Sequence, residues 1–211
     1  MHSFLNLFQI LLFLSSAISV YANEGLSARD LKSGDVLLQS IPCHVCALIE
    51  TEEGSNYSHI GVVLRKNKQT LVLQAWNQVL ALPLSRSLQF RKSGTQTLVL
   101  RPIDKIGSEV KLNSRVLSLI FNKYFNGLSY DEAFLWNNRD GFGEKLYCSE
   151  FVAKFLNYFL PEKISPKSMH FTHRRDEWIQ YFRGAPPDGQ EGISPGDFAR
   201  SPLFKQLGYL D

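Results

Sequence analysis

Two strand-like apolar stretches, Ser58 to Leu64 and Thr70 to Ala75, flank the polar run Arg65-Lys66-Asn67-Lys68-Gln69. A chain written this way turns back on itself as a β-hairpin, and the rest of the fold has to accommodate that hairpin's two faces. With Lys66 and Asn67 as the loop, His59 stands directly opposite Gln74, on the face that carries Gly61, Val63, Thr70 and Val72. Cross-strand partners have Cβ atoms about 5 Å apart, close enough for a ring to bond an amide. A loop one residue longer would turn Gln74 to the other face, so this pairing depends on register.

A second pattern has helical period. Phe151, Val152, Phe155, Leu156 and Phe159 recur at steps of one, three and four in the run from Leu146 to Leu160. Pro161 closes the segment, because its ring cannot continue a helix and restricts Leu160 as well. Before it lies a loop of charge, amide and glycine, Asn137 to Lys145. Cys148 therefore falls in a first helical turn, where unpaired N–H groups and the helix dipole favour a thiolate.

The remaining elements follow in order. Gly34 and Asp35 make a turn into a short buried strand, Val36 to Gln39. Ile41 to Thr51 has helical spacing, with Pro42 at a helix-starting position. Val79 to Leu82 and Thr95 to Arg101 read as strands joined by a connection from Pro83 to Leu88. Val110 to Phe125 reads as an amphipathic helix stopped by Gly127, and Asp131 to Trp136 as a helical turn. The tail from Pro161 holds six of the nine prolines, one helix around Asp176 to Phe182, and a tight turn at Ser194 to Phe198. One helix and the strands come first and further helices after, which predicts an α+β domain whose short antiparallel sheet packs on the cysteine helix.

Of the 211 residues, the first 22 read as a secretory signal peptide. Phe4 to Val20 is almost wholly apolar and uncharged, and Val20-Tyr21-Ala22 suits a signal peptidase. The chain is thus expected to be exported, to the periplasm or beyond, with membrane attachment only if that segment stays uncleaved. Residues 23–211 are enough for one domain with a sizeable core. A net charge of +3, spread along the chain, gives nucleic-acid binding no support. No pattern announces an oligomeric state. Three cysteines in an exported chain leave one over: Cys43 and Cys46 are the obvious pair, Cys148 the remainder.

Cysteine hydrolysis needs a thiolate, an imidazole to shuttle the proton, and a polar group to orient the ring. Cys148, His59 and Gln74 supply these three types, on a helix start and two neighbouring strands. Any one alone would be read as structural: a buried thiol, a strand-capping histidine, a solvated glutamine. This chemistry calls for no cofactor and no metal.

At these residues the chain resembles a known family. Gly34-Asp35-Val36-Leu37-Leu38, Tyr57-Ser58-His59-Ile60-Gly61-Val62-Val63 and Tyr147-Cys148-Ser149-Glu150-Phe151-Val152 look like the motifs of circularly permuted NlpC-type cysteine hydrolases, the YiiX/YebB-like group above all. The likeness runs from about Lys32 to Leu160 and includes Tyr130-Asp131. It implies a permuted papain-like fold in which histidine precedes cysteine, with Cys148 as nucleophile, His59 as base and the third polar member at Gln74. Relatives often carry glutamate there; an amide orients an imidazole but stabilises imidazolium less than a carboxylate does. Relatives of the wider family cut peptide stems of the cell wall, so the first expectation for the partner is a small peptidoglycan peptide. The fold also resembles the lecithin retinol acyltransferase group, which implies an acyl substrate as the alternative.

Cys43-His44-Val45-Cys46 supports a rival reading as a thiol–disulfide oxidoreductase, since strand, C-x-x-C and helix is how thioredoxin-like sites look. A zinc site joining the two cysteines to His170 and His173 has spacing one residue too short between its histidines.

Overall fold

The computed structural model describes residues 25–210; the signal-like segment lies outside the described residues. Among the described residues there are ten strands: β1 (Val36–Gln39), β2 (His59–Lys66), β3 (Gln69–Ala75), β4 (Val79–Pro83), β5 (Thr97–Pro102), the two-residue pairs β6 (Arg139–Asp140) with β7 (Gly143–Glu144) and β8 (Lys167–Ser168) with β9 (Glu191–Gly192), and β10 (Phe204–Leu210). The helices are α1 (His44–Glu53), α2 (Leu84–Leu88), α3 (Ser114–Tyr124), α4 (Cys148–Leu156), α5 (Arg175–Phe182) and α6 (Pro195–Arg200).

Six strands form one antiparallel sheet in the order β10-β5-β1-β2-β3-β4. Strand alternation sends Val36, Leu38, Ile60, Val62, Leu73 and Leu100 into the main core, where Phe121 of α3 and Phe151 and Phe155 of α4 meet them. The opposite face carries Leu37, Val63, Val72 and Val99 into a smaller cluster covered by Leu31 and Leu84. Asp35 ties β1 to β5: its carboxylate accepts from Arg101 Nε and Nη2, each at 2.8 Å, inside the protein. That bond accounts structurally for the Gly34-Asp35 pair in the sequence.

The central hairpin forms, but in a register shifted from the expected one. Lys66 pairs with Gln69, so Asn67 and Lys68 make the two-residue loop, both with positive φ. Such loops need left-handed backbone at both central positions, and asparagine tolerates the first of them well. The shift is one residue on each strand, so facing is preserved: His59 and Gln74 still share a face, diagonal rather than opposite.

Other boundaries move for local reasons. α1 begins after Pro42, because Cys43 is the cap: its sulfur accepts from Cys46 N at 3.1 Å. α3 starts only at Ser114, capped by the Asn113 side-chain oxygen Oδ1. The expected connection Pro83 to Leu88 contains α2. Asp131 to Trp136 is not helical; the Asp131 carboxylate collects Ala133 N, Leu135 N and Asn138 Nδ2, and Phe134 takes a positive φ. α4 stops at Leu156, four residues before the expected end. Ser194 to Phe198 is no simple turn; it opens α6 with a capping box between Ser194 and Asp197. Beyond it β10, absent from the sequence reading, pairs with β5 and finishes the sheet.

Candidate active site

Cys148 is the first residue of α4, after Tyr147 in extended conformation. The start of that helix is bolted to the tail: Tyr147 Oη accepts from Ile193 N at 3.0 Å, and Ser149 Oγ donates to Ile193 O at 2.7 Å. Gly192 permits this approach, since a Cβ there would lie 2.9 Å from Tyr147 Oη. The main-chain N–H groups of Ser149 and Ile60 lie near enough to the Cys148 sulfur to favour its anion. Ile60 follows His59 in β2, so the thiol meets the sheet one residue from the imidazole.

His59 and Gln74 are brought together: His59 Nε2 and Gln74 Oε1 lie 2.8 Å apart, with both side chains buried. Because Oε1 only accepts, Nε2 carries the proton and Nδ1 of the neutral ring is left as the acceptor. Ser87 Oγ, from α2, donates to the same Oε1 at 3.4 Å and holds the amide in that orientation. Nothing in the sequence signals Ser87, because its segment reads as a loop. Gly61 makes the diagonal contact possible: a Cβ there would sit 2.5 Å from Val72 Cγ1 and 3.3 Å from Gln74 Cβ. Trp76 closes over the imidazole edge-on, centroids 5.1 Å apart, and stacks on Phe90. It has a shielding position that aromatic density alone does not signal.

Burial sets the protonation states. It drives the His59 pKa down to about 4, against the raising effect of the Gln74 bond. It pushes the Cys148 thiol up to about 11, against N–H groups that favour the anion. The helix-start expectation of a thiolate is thus overturned: desolvation of a buried sulfur outweighs the dipole of one helix. The resting pair is a neutral thiol and a neutral imidazole. Tyr130 stands beside this pair. Burial first, then the neighbouring Cys148, holds its phenol well above the ordinary tyrosine range, so it remains a neutral donor.

Two cavities flank the pair. One, of about 40 Å³, is reached by Cys148 and walled mainly by apolar groups such as Phe134, Phe171, Trp178 and Ile193. The other is lined by His59, Trp76, Asn77 and Tyr130, with the Cys43–Cys46 disulfide on its rim. That disulfide is formed and Cys148 is free. The bridge takes up both sulfurs that a zinc site with His170 and His173 would require. Among the described residues no three His, Cys, Asp or Glu side chains gather as a metal site, and no helix is long and apolar enough to cross a membrane.

A sheet with a cysteine at the start of the helix packed on it, and a histidine–amide pair entering from the preceding strands, defines a permuted papain-like protein. The chain belongs to the family of permuted papain-like amidases, YaeF/YiiX, C92 family, whose model matches residues 30–208. It is therefore a cysteine hydrolase of the amidase/peptidase kind. Among solved structures it is similar to YiiX from Escherichia coli O157:H7, described as a metalloprotein: 21% identity, TM-score 0.71, covering 84% of this chain and 97% of that one. Comparison with curated proteins finds no match.

Proposed function

We propose that the protein cleaves an amide or ester bond through a Cys148–His59–Gln74 triad and an acyl-enzyme. The observation that carries this is the 2.8 Å bond from His59 Nε2 to Gln74 Oε1, which fixes the tautomer whose free Nδ1 can take a thiol proton. Since the pair rests neutral, His59 acts as a general base: it removes the Cys148 proton as sulfur attacks the carbonyl, then donates it to the leaving group. The Cys148 N–H, in a first helical turn without an intrahelical partner, serves the developing oxyanion. The Tyr130 hydroxyl is the candidate for a second donor.

Export, on the signal-like residues 1–22, and a small peptide or acyl partner belong to the same proposal. Cell-wall peptides are the substrate that family likeness suggests; the walls around Cys148 favour an apolar acyl group instead. The test is acylation by p-nitrophenyl acetate followed by intact mass spectrometry. A +42 Da adduct on Cys148, absent in Cys148→Ala and slowed about 10²-fold or more in His59→Ala, is the expected result. No adduct, or an adduct formed equally fast in His59→Ala, would sink the triad.

A further inference from the structure

The two cavities differ in which catalytic group they expose, and that difference assigns their roles. In acyl transfer to a thiol the new C–S bond holds the acyl half on Cys148. The broken C–N or C–O bond sends the other half away with the proton that His59 returns. Water then attacks the thioester, His59 takes its proton, the C–S bond breaks and the thiol is restored. The cavity that Cys148 reaches without His59 is therefore on the acyl side. The cavity lined by His59 without Cys148 is on the leaving-group side.

The acyl-side cavity is apolar where it matters. Its carboxylates and serine hydroxyls are already engaged. Glu52 accepts from Thr172 N, His173 N and Trp178 Nε1. Glu53 is paired with Arg200 and Lys167. Ser149 and Ser194 donate to Ile193 O and Asp197. Among the described residues no Lys or Arg lines the cavity, and His170 is its one basic side chain. A substrate carboxylate placed there would face two glutamates with no guanidinium or ammonium to meet it, a desolvation cost without return. Its volume of about 40 Å³ corresponds to a few water-sized positions, enough for a few carbon atoms.

We propose that this cavity is the acyl subsite and that it selects substrates whose acyl group is apolar over at least its first few carbons, rather than the γ-glutamyl type of a cell-wall stem. The proposal rests on Cys148 being the nucleophile.

The experiment compares amides of 7-amino-4-methylcoumarin that differ only in the acyl group: acetyl, butanoyl, hexanoyl and γ-D-glutamyl. The expected result is kcat/KM for butanoyl about tenfold above acetyl, as two buried methylenes give, with γ-D-glutamyl at or below acetyl. Met169→Lys, which sets a charge in the wall, should bring the butanoyl-to-acetyl ratio close to one. The ratio is taken within each preparation, so partial unfolding cannot imitate the effect. Faster turnover of γ-D-glutamyl than butanoyl, or equal rates for acetyl and butanoyl, overturns the subsite and leaves the hydrolase standing. If Cys148 accepts no acyl group from any of these amides or from p-nitrophenyl acetate, the nucleophile assignment fails and the subsite with it.

Discussion

Gln74 reaches diagonally across the hairpin to bond His59, and the gap it crosses exists because residue 61 has no side chain. A methyl group at Gly61 would meet Val72 Cγ1 at 2.5 Å and the Leu73 carbonyl oxygen at 3.1 Å. Gly61→Ala is therefore expected to cost about 1–3 kcal/mol through overpacking. It should also lower acylation of Cys148 more than that loss of folded protein explains. Denaturant titration beside acylation kinetics at a fully folded concentration checks both.

Gln74 itself should separate orientation from charge. Gln74→Ala leaves the Nε2 proton of His59 and the Ser87 hydroxyl without their acceptor, and acylation should fall by about 10- to 100-fold. Gln74→Glu keeps the acceptor and adds a charge that favours imidazolium. It should raise the His59 pKa from its present value of about 4 and move the acidic limb of the rate profile upward by about a unit or more. An unchanged limb would mean that Gln74 does not govern the ring.

Alkylation reports the resting state of the pair. With Cys148 held near 11 and His59 near 4 by burial, iodoacetamide should react slowly at pH 7, and the rate should climb steadily through pH 8 to 10. A fast plateau between pH 5 and 7 would instead reveal a thiolate–imidazolium pair at rest.

Two buried groups give stability opposite slopes with pH. His59 stays neutral in the fold down to about pH 4, whereas the unfolded ring binds its proton below 6.5; its contribution is present above 6.5 and is lost on acidification. Glu150 behaves in reverse. Burial lifts its carboxyl to about 7 despite Lys154 and the Asn137 N–H, while the unfolded group ionises near 4.5; its contribution is lost as pH rises through 7. The two offset one another between about pH 4.5 and 6.5. Glu150→Gln should expose the His59 slope, with the melting temperature rising with pH across that window.

The Cys43–Cys46 bridge closes a loop of only a few residues. Replacing both by serine should cost about 2 kcal/mol or less. If the oxidoreductase reading were right, the protein would reduce insulin, and that activity would vanish in Cys43→Ser and survive in Cys148→Ala; no such turnover is expected.

The sequence by itself determined which faces meet. Residue spacing of two put His59 and Gln74 on one side of a hairpin for any loop with an even number of residues, because facing depends only on parity. The apolar stripe after Cys148 announced a helix beginning at the thiol, and the ordered motifs pointed to the permuted family. Tertiary structure decided what spacing cannot carry. The loop shifted to Asn67-Lys68, since turn geometry rather than strand composition sets register. Ser87 joined the Gln74 amide, and Ile193 became a wall beside Cys148, through contacts spanning 13 and 44 residues of chain. β10 found β5 across an even longer separation, which no local pattern encodes. Burial, finally, reversed the expected charge of Cys148: the helix start was readable in the residues, but the loss of water around the sulfur belongs to the packed molecule alone.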